Sequence, residues 1–258
     1  MRYRFAKERQ DYSDYASGRV FYNFPGHPAF PVRLTSEIFQ RCVAFRKTSG
    51  ITDPCVIYDP CCGGAYHLGT LAYLHWYAIS EIIGSDADPE ALSLAERNLA
   101  LLTVDGLDRR MTEISEMLAS FKKPSHAAAL ESAKTLRHRL LKLLETHRVT
   151  TRLFQADATD SRSLRDKLHG TRVDVIITDV PYGWRSAWQF SAPAHEAPLG
   201  PIWQTLEALL PVLAVQSVVA VAADKRQKIA HEAYRRIERF RVGKRQVALL
   251  QPMRSNVE

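Results

Sequence analysis

Cysteine is scarce in this sequence, with four residues among 258. A disulfide framework is typical of short secreted chains that are much richer in cysteine, so we expect none here. The adjacent pair Cys61 and Cys62 lacks the Cys-x-x-Cys spacing of a zinc site, and no His-x-x-x-His pattern accompanies it. We therefore expect free thiols, no bound metal and a reducing, cytoplasmic location.

Long hydrophobic runs are missing as well. The longest, residues 209–223, is too short to span a membrane and is interrupted by Pro211, Gln216 and Ser217. A buried β-strand explains it better, and the polar, basic start of the chain does not resemble a signal peptide. With 46% hydrophobic residues the chain can fill an ordinary core. We expect one monomeric domain over residues 1–258, without a membrane partner.

A third absence is the Gly-x-Gly-x-x-Gly fingerprint of dinucleotide-binding proteins. Residues 59–65 instead read Asp-Pro-Cys-Cys-Gly-Gly-Ala, a spacing that does not suit a pyrophosphate. Gly63 and Gly64 permit positive φ and close backbone approach, and a helix predicted from about Tyr66 presents its N-terminus to a ligand. This combination favours a nucleoside cofactor over a dinucleotide.

Acidic residues near this turn suit S-adenosylmethionine (SAM). Asp86 lies 23 positions after Gly63, at the end of a predicted strand, where such folds place the acid that binds ribose hydroxyls. Asp88 would border the adenosine, Asp157 would accept from the adenine amino group, and Asp59 suits the ammonium of the methionine part. Each acid could instead be a turn residue or a helix cap. The candidate cofactor-binding residues are Asp59, Cys61, Gly63, Gly64, Asp86, Asp88 and Asp157.

A second motif, residues 179–182, follows the clearest predicted strand, at the edge where open parallel sheets bind ligands. Asp179 and the Val180 carbonyl can accept hydrogen bonds from a base N–H, Pro181 fixes the backbone, and Tyr182 can stack on the base. We assign Asp179, Pro181 and Tyr182 as candidate catalytic residues, with Asp179 able to take the departing proton. A plain turn with a core tyrosine is the alternative. Together, the two motifs predict SAM-dependent methylation of a base nitrogen.

The connection that follows, residues 183–201, is long and aromatic and contains three prolines. It could face the substrate and become ordered on RNA binding, or it could pack over the edge of the sheet. Its candidate RNA contacts are Trp184, Arg185 and Trp188.

The net charge of +7 is concentrated near the C-terminus, where residues 222–258 hold ten Lys and Arg against four acids. A basic patch attracts phosphate backbones, so RNA is the favoured partner. A solvated surface without a ligand would have the same composition. The candidate RNA-binding cations of this stretch are Lys225, Arg226, Lys228, Arg235, Arg236 and Arg239.

Apolar runs alternate with helical patterns, which predicts an α/β fold with a mostly parallel sheet and helices on both faces. A helix is expected over residues 35–46, capped by Thr35 or Ser36, and another over residues 89–102. The predicted strands are residues 55–58, 82–86, 151–155, 173–180 and 217–223, with one or two more in 245–250.

Residues 103–148 separate two predicted strands by far more than an ordinary connection. Helical periodicity on both sides of Pro124 predicts a helical hairpin inserted into the core fold, while residues up to about 50 form an N-terminal helical extension. The hairpin could contact RNA, or it could be a buttress with solvated charges. Its cations include Lys122, Lys123, Lys134, Arg137, Arg139 and Lys142.

Several runs resemble those of the AviRa family of ribosomal RNA methyltransferases, which is associated with resistance to orthosomycin antibiotics such as avilamycin. The most specific run is Pro-Ala-Phe-Pro-Val-Arg-Leu at residues 28–34, and the resemblance covers most of the chain. Gly64-Ala65 stands where the family pattern has Ser-Gly, and His67, Trp76 and Val180 also differ. Other matching runs lie at 25–26, 37–41, 59–63, 85–86, 88–89, 98–102, 123–125, 178–179, 181–183 and 228–229.

The resemblance implies a Rossmann-like class I methyltransferase fold with a mostly parallel, twisted, seven-stranded sheet. It also implies a guanine of large-subunit ribosomal RNA as the target. Arg33 would reach either the methionine carboxylate or an RNA phosphate. The residues implied to hold SAM are Asp59, Gly63, Asp86 and Asp157, and those implied to face the base are Asp179, Pro181 and Tyr182.

We therefore expect a SAM-dependent methyltransferase that acts on N1 or N2 of a guanine in 23S ribosomal RNA, with S-adenosylhomocysteine as by-product and orthosomycin resistance as a candidate role. One alternative is a tRNA or DNA amino-methyltransferase, although 258 residues leave little room for a DNA target-recognition domain. Another is an RNA-binding protein that keeps the fold without catalysis. The presence of Asp59, Asp86 and Asp179 argues against an inactive protein.

Overall fold

The computed structural model describes residues 3–23, 29–180 and 200–253. Its strands are β1 (Cys55–Asp59), β2 (Ile79–Asp86), β3 (Thr150–Gln155), β4 (Val173–Asp179), β5 (Leu213–Asp224), β6 (Tyr234–Val242) and β7 (Arg245–Pro252). They form one sheet with the order β3-β2-β1-β4-β5-β7-β6. Neighbours from β3 to β5 are parallel, whereas β7 is antiparallel to both β5 and β6.

Helices cover both faces of this sheet. They are α1 (Val32–Thr48), α2 (Tyr66–His75), α3 (Pro89–Ala100), α4 (Val104–Phe121), α5 (Pro124–Leu144), α6 (Ser161–Leu168) and α7 (Pro201–Leu209). Short 3-10 turns lie at Ser13–Tyr15, Trp76–Ala78 and Leu210–Val212. Within the described ranges, the helices are too short or too polar to cross a membrane.

Strand alternation divides the interior into two cores. In β1, Ile57 packs among residues of α1 to α5, whereas Tyr58 packs on the opposite face with residues of α6 and α7. The mixed seven-stranded sheet between two helical layers confirms the predicted fold class. The strand order reverses between β1 and β4, and open α/β sheets bind their ligands at such a reversal.

Helix α1 begins earlier than predicted, at Val32 rather than Thr35. Pro31 occupies the N-cap position, and the Thr35 hydroxyl donates back to the Pro31 carbonyl at 3.1 Å. The Ser36 hydroxyl lies 2.9 Å from His75 Nε2. Neither hydroxyl therefore caps the helix, because both residues lie inside it.

Two strands begin before their hydrophobic runs. β5 starts at Leu213 rather than at residue 217, and the polar Gln216 lies within it at a φ of +62°. β2 starts at Ile79 rather than at residue 82, and its half-buried Glu81 lies 3.3 Å from Arg152 of β3. Glu81 pairs with Thr150 in the ladder between β2 and β3, whereas Gln216 lies in an irregularity of β5, where pairing with β4 passes from Leu213 directly to Val218.

Strand β6 is the strand that the sequence pattern does not predict, and the pattern also predicts no helix where α6 and α7 lie. Its arginines read as a solvated charge run, yet Ile237, Phe240 and Val242 alternate with them closely enough to pack against the core. Its position at the edge of the sheet explains the composition, since charged side chains on an edge strand discourage pairing with other chains.

The predicted helical insertion is confirmed by α4 and α5. Thr103 caps α4 by accepting from the Gly106 N–H at 3.0 Å, and Lys122 ends the helix in the left-handed conformation with φ of +51°. Pro124 occupies the first turn of α5, where its missing N–H costs nothing. The hairpin link is therefore only two residues long.

Candidate active site

Four acids lie at the carboxyl-terminal edge of the parallel strands, which we call the catalytic edge. Asp59, Asp86 and Asp179 end β1, β2 and β4, and Asp157 follows β3 by two residues. The Ala156 N–H donates to the Asp86 carbonyl at 3.1 Å, which holds Asp157 beside the end of β2. The structure therefore brings together the acids of the two predicted sites.

The glycine turn between β1 and α2 is fastened to β2. The Gly63 N–H donates to Asp86 Oδ2 at 2.8 Å, and the Cys62 N–H donates to the Ser85 carbonyl at 2.9 Å. Gly63 has a φ of +51°, and a Cβ added to it would meet no atom within 4 Å. The turn thus presents bare backbone toward open space, which suits a nucleoside ligand.

The neighbouring Gly64 packs closely against α3. A Cβ at this position would lie 2.6 Å from Leu94 Cδ2 of α3, closer than atoms in contact can approach. Its carbonyl accepts from Asn98 Nδ2 at 2.7 Å, which joins the turn to the same helix. Ala65 then takes a φ of +50°, a left-handed conformation that alanine adopts only with strain.

Asp59 is fully buried behind the turn. Its Oδ1 accepts from the Cys61 N–H at 3.0 Å, and its Oδ2 lies 3.0 Å from Nε2 of the buried His67 on α2. The histidine that departs from the family pattern is therefore the direct neighbour of this acid. The Oδ2 and Nε2 atoms are close enough to interact, although the contact does not have hydrogen-bond geometry.

Asp86 and Asp88 have different surroundings. Asp86 accepts from the Gly63 N–H and, through Oδ1, from the Asp88 N–H at 3.1 Å. Burial raises the pKa of Asp86 even though these two donors favour its charged form. A carboxylate has about four acceptor positions, so ribose hydroxyls can still be bound. Asp88 caps α3 by accepting from the Glu90 N–H at 2.9 Å.

Asp157 sits in a compact turn at the end of β3. Its Oδ1 accepts from both the N–H and the hydroxyl of Thr159, at 2.8 and 2.7 Å. The side chain is 9% exposed, so it lines the interior of the edge rather than its outer surface. This turn holds the carboxylate in place for a hydrogen-bond donor.

The surroundings of the glycine turn disfavour the thiolate form of its two cysteines. Burial, with the nearby Asp59 and Asp86 carboxylates, raises the pKa of both Cys61 and Cys62 well above that of a free thiol. A neutral thiol is a poor nucleophile and a poor metal ligand. In the described part of the chain, no three His, Cys, Asp or Glu side chains are grouped to hold a metal ion.

Arg245 connects the part of the edge near Asp179 to the part near Asp59. This first residue of β7 extends across β5, and its Nη2 lies 3.7 Å from Asp179 Oδ2. Its guanidinium also lies 5.5 Å from the centroid of the buried Phe30 ring, and that ring is 6.1 Å from His67. A continuous line of contacts thus runs from Asp179 to Asp59.

Comparison with known proteins decides the family. Residues 1–245 match the model of the family "RRNA methyltransferase AviRa". The chain belongs to the AviRa family. It is 40% identical over 248 residues to the 23S rRNA (guanine(2535)-N(1))-methyltransferase of Streptomyces viridochromogenes, which covers 96% of this chain and 95% of that protein.

Solved AviRa structures agree with this assignment. One structure of the rRNA methyltransferase AviRa from Streptomyces viridochromogenes has a TM-score of 0.84 at 39% identity and covers 97% of this chain and 96% of its own. A second AviRa structure has the same TM-score and coverage at 38% identity. The chain therefore has the AviRa fold over nearly its whole length.

Some predicted AviRa-type site residues lie outside the described ranges. They are Pro181, Tyr182, Trp184, Arg185 and Trp188.

Arg33 is held by the N-terminal segment. Its Nε and Nη2 donate to the Ala6 carbonyl at 3.0 and 2.8 Å, and Nη2 also donates to the Lys7 carbonyl at 2.9 Å. The Tyr3 ring covers the guanidinium at 4.0 Å. These contacts anchor the start of the chain on α1 instead of directing the guanidinium at a carboxylate or a phosphate.

The six predicted cations of the C-terminal region separate into two groups. Lys225, Arg226 and Lys228 follow β5 at the catalytic edge, and all three are exposed. Arg235, Arg236 and Arg239 lie on β6, where Arg235 pairs with Gln251 and Arg239 bonds Gln246 at 2.6 Å. Arg235 is therefore near the opposite end of the sheet.

The sequence pattern misses Arg245 and Phe30 as site residues. Phe30 lies in the run shared with the family, which was a signal. Arg245 had no such signal, because its position beside Asp179 depends on β7 entering the sheet next to β5.

Proposed function

We propose that this AviRa-family protein transfers a methyl group from SAM to N1 of a guanine in 23S ribosomal RNA. The observation that carries the proposal is the convergence of Asp59, Asp86 and Asp179 on one edge, next to a glycine turn that faces open space. The N1 assignment for the relative from Streptomyces viridochromogenes, 40% identical to this chain, supports the choice of atom.

The residues on the cofactor side fit SAM. Asp86 would bind the ribose hydroxyls and Asp157 the adenine amino group, while Gly63 allows the nucleoside to approach the backbone. Asp59, which the sequence assigns to the methionine ammonium, is fully buried and would support the glycine turn from behind. His67 lies against the buried Asp59 carboxylate and would help it to support this turn. When bound, SAM would supply a methyl carbon attached to its sulfonium sulfur. Transfer of that methyl group leaves S-adenosylhomocysteine as the by-product.

Asp179 and Arg245 would act on the guanine. N1 carries a hydrogen, so its electron pair can bond to the methyl carbon only as that proton leaves. The Asp179 carboxylate would accept the proton, while the negative charge spreads from N1 to O6 of the base. The Arg245 guanidinium beside Asp179 would stabilise the charge on O6. This acid–arginine pair favours N1 over N2, because N1 and O6 are adjacent on one edge of guanine.

Ribosomal RNA from cells with and without the protein tests the proposal. A methyl group on N1 blocks Watson–Crick pairing, so primer extension should stop at one guanine of 23S RNA only when the protein is present. Nucleoside mass spectrometry should then show additional 1-methylguanosine. The absence of a new stop, or a gain of N2-methylguanosine alone, would contradict the assignment.

Two further expectations remain proposals. Resistance to an orthosomycin antibiotic is tested by drug susceptibility of cells with the active protein and with an inactive variant. A cytoplasmic, monomeric protein is tested by cell fractionation and by the mass of the purified protein in solution.

A further inference from the structure

The tip of the α4–α5 hairpin, residues 121–126, carries an aromatic ring that is not part of either core. Phe121 ends α4 with 63% of its surface exposed, and the exposed Lys122 and Lys123 follow it. Lys123 Nζ lies 5.8 Å from the centroid of the Phe121 ring, and the His126 ring is 6.0 Å away in an edge-on arrangement. The ring therefore lies near a lysine and a histidine and is not buried.

The two helices of the hairpin are packed together and joined to each other near the tip. Leu107, Ile114, Leu136 and Leu140 are almost completely buried between the two helices and the body of the protein. Arg137 of α5 forms an ion pair with Asp108 of α4. His126 Nδ1 lies 3.1 Å from the Met117 carbonyl, which joins the start of α5 to the last turn of α4. A preorganised tip loses little conformational freedom when it binds.

The direction of the hairpin points its tip toward the catalytic edge. Its base lies at the opposite edge, because α4 follows the end of α3 directly and His147, just after α5, contacts the carbonyl of Ile79, the first residue of β2. The 18 residues of α4 span about 27 Å, similar to the length of β2 at about 3.3 Å per residue. The free end of the hairpin is therefore farthest from its base, on the side of the catalytic edge.

A chain of hydrogen bonds near the middle of α4 supports this direction. Glu113 accepts from the Tyr22 hydroxyl at 2.8 Å, and the Tyr22 N–H donates to Asn98 Oδ1 at 2.8 Å. Asn98 also donates to the Gly64 carbonyl of the cofactor turn. The middle of α4 is thus linked through Tyr22 to Asn98, the residue that bonds the glycine turn. Phe121 is about 12 Å farther along α4.

The charge of the tip suits a polyanion. Residues 117–130 contain Lys122, Lys123 and His126 but no Asp or Glu. An exposed aromatic ring beside lysines is the combination with which proteins bind unpaired nucleotides, since the ring stacks on a base and the lysines contact the flanking phosphates. A protein partner that buried Phe121 would also have to bury Lys122 and Lys123 and compensate for the loss of their hydration.

We propose that the hairpin tip is a second RNA-binding site, in which Phe121 stacks on an unpaired base and Lys122 and Lys123 contact phosphates of the same ribosomal RNA. The proposal rests on the proposed function, because it takes the methylated RNA as the occupant. The tip would select the target by binding a nucleotide outside the active site, so it contributes to RNA affinity and not to methyl transfer itself.

The experiment compares tip variants of the full chain on a protein-free 23S RNA fragment and on the assembled large subunit. Phe121→Ala should raise Kd and KM for the RNA about tenfold, while kcat at saturating RNA and the Kd for SAM stay at wild-type values. Phe121→Trp should retain binding. Lys122→Gln with Lys123→Gln should lower the salt slope of binding by roughly 1.5. The matched control is Leu141→Ala, because Leu141 is a 41% exposed hydrophobic residue on the same hairpin, far from the tip.

The outcomes separate this proposal from the proposed function. If the wild-type protein does not methylate the RNA, the proposed function fails. If it does and the Phe121→Ala and double-lysine variants bind RNA as tightly as the wild type, the tip site is overturned alone. A loss that occurs only with the assembled subunit, and persists when the RNA contacts of the tip are blocked by a complementary oligonucleotide, would also overturn it and would favour a ribosomal protein as the occupant.

Discussion

Arg245 Nη2 lies 3.7 Å from Asp179 Oδ2, and the two side chains are 24% and 22% exposed. The pair places an acceptor and a cationic donor side by side at the catalytic edge. Guanine presents the matching groups, since the N1–H donates and the adjacent O6 accepts. This relationship is what distinguishes the proposed chemistry from binding of a generic base.

The first prediction concerns Asp179. Asp179→Ala should lower the rate of methyl transfer by about two to four orders of magnitude, because the N1 proton loses its acceptor. The Kd for SAM, measured by calorimetry, should change little. Asp166→Asn, at an exposed acid on α6, is the control and should behave like the wild type. Full activity of Asp179→Ala would remove this residue from the mechanism.

The second prediction concerns the pH dependence that Arg245 imposes. Without the guanidinium, the charge on O6 is less stabilised and N1 gives up its proton less readily. The rising limb of the single-turnover rate of Arg245→Met should therefore move to higher pH, and Arg245→Lys should recover part of the shift. Lys244→Met changes a neighbouring exposed cation and should leave the profile in place. An unshifted profile for Arg245→Met would rule out this role.

The third prediction concerns the buried pair of Asp59 and His67. His67→Leu removes the neighbour of a fully buried carboxylate and should lower the free energy of unfolding by about 1–3 kcal/mol, measured by urea denaturation. The Kd for SAM should rise as well. The double variant with Asp59→Asn should show a clearly non-additive stability loss, because the two side chains are in contact. Additive losses would show that the contact contributes nothing.

The fourth prediction concerns the strained Ala65. Ala65→Gly relieves about 1–2 kcal/mol of left-handed strain and adds roughly 0.5–1 kcal/mol of unfolded-state entropy, so the variant should be as stable as the wild type or slightly more stable. Ala72→Gly, within α2, should instead destabilise by about 1 kcal/mol or more. Equal losses in both variants, measured by urea denaturation, would contradict the strain.

The fifth prediction separates the two groups of C-terminal cations. Changing Lys225, Arg226 and Lys228 together to Gln should weaken RNA binding and flatten its dependence on salt, because all three lie at the catalytic edge. Changing Arg235 and Arg236 to Gln should have a smaller effect, since Arg235 pairs with Gln251, about 20 Å along β7 from Arg245. The reverse ranking of the two salt slopes would place the RNA on β6.

The elements that sequence could predict are those specified by local residues. The spacing from Gly63 to Asp86 follows from one turn, one helix and one strand, and the structure joins the two residues by a 2.8 Å hydrogen bond. Pro124 and the periodicity around it specify the hairpin in the same local way. The two motifs themselves indicate the reaction. Residues 59–65 suit a nucleoside cofactor, and residues 179–182 suit a base whose nitrogen is methylated.

What could not be predicted depends on contacts between distant parts of the chain. Arg245 reaches Asp179 only because β7 pairs with β5, and no local pattern encodes that neighbour. Arg33 looks like a candidate ligand for an anion until the carbonyls of Ala6 and Lys7 are placed around it. The arginines of β6 make the segment look like a solvated charge run. Its strand is stabilised by the hydrophobic residues between them, which pack on the core, and by pairing with β7.

Transfer of a labelled methyl group tests the central claim most directly. Purified protein is incubated with 23S RNA from cells that lack it and with SAM carrying a deuterated methyl group, and the nucleosides are analysed by mass spectrometry. We expect the label in 1-methylguanosine at a single position of the RNA, and its loss with Asp179→Ala. Label in another nucleoside, or none although SAM binds, would contradict the account.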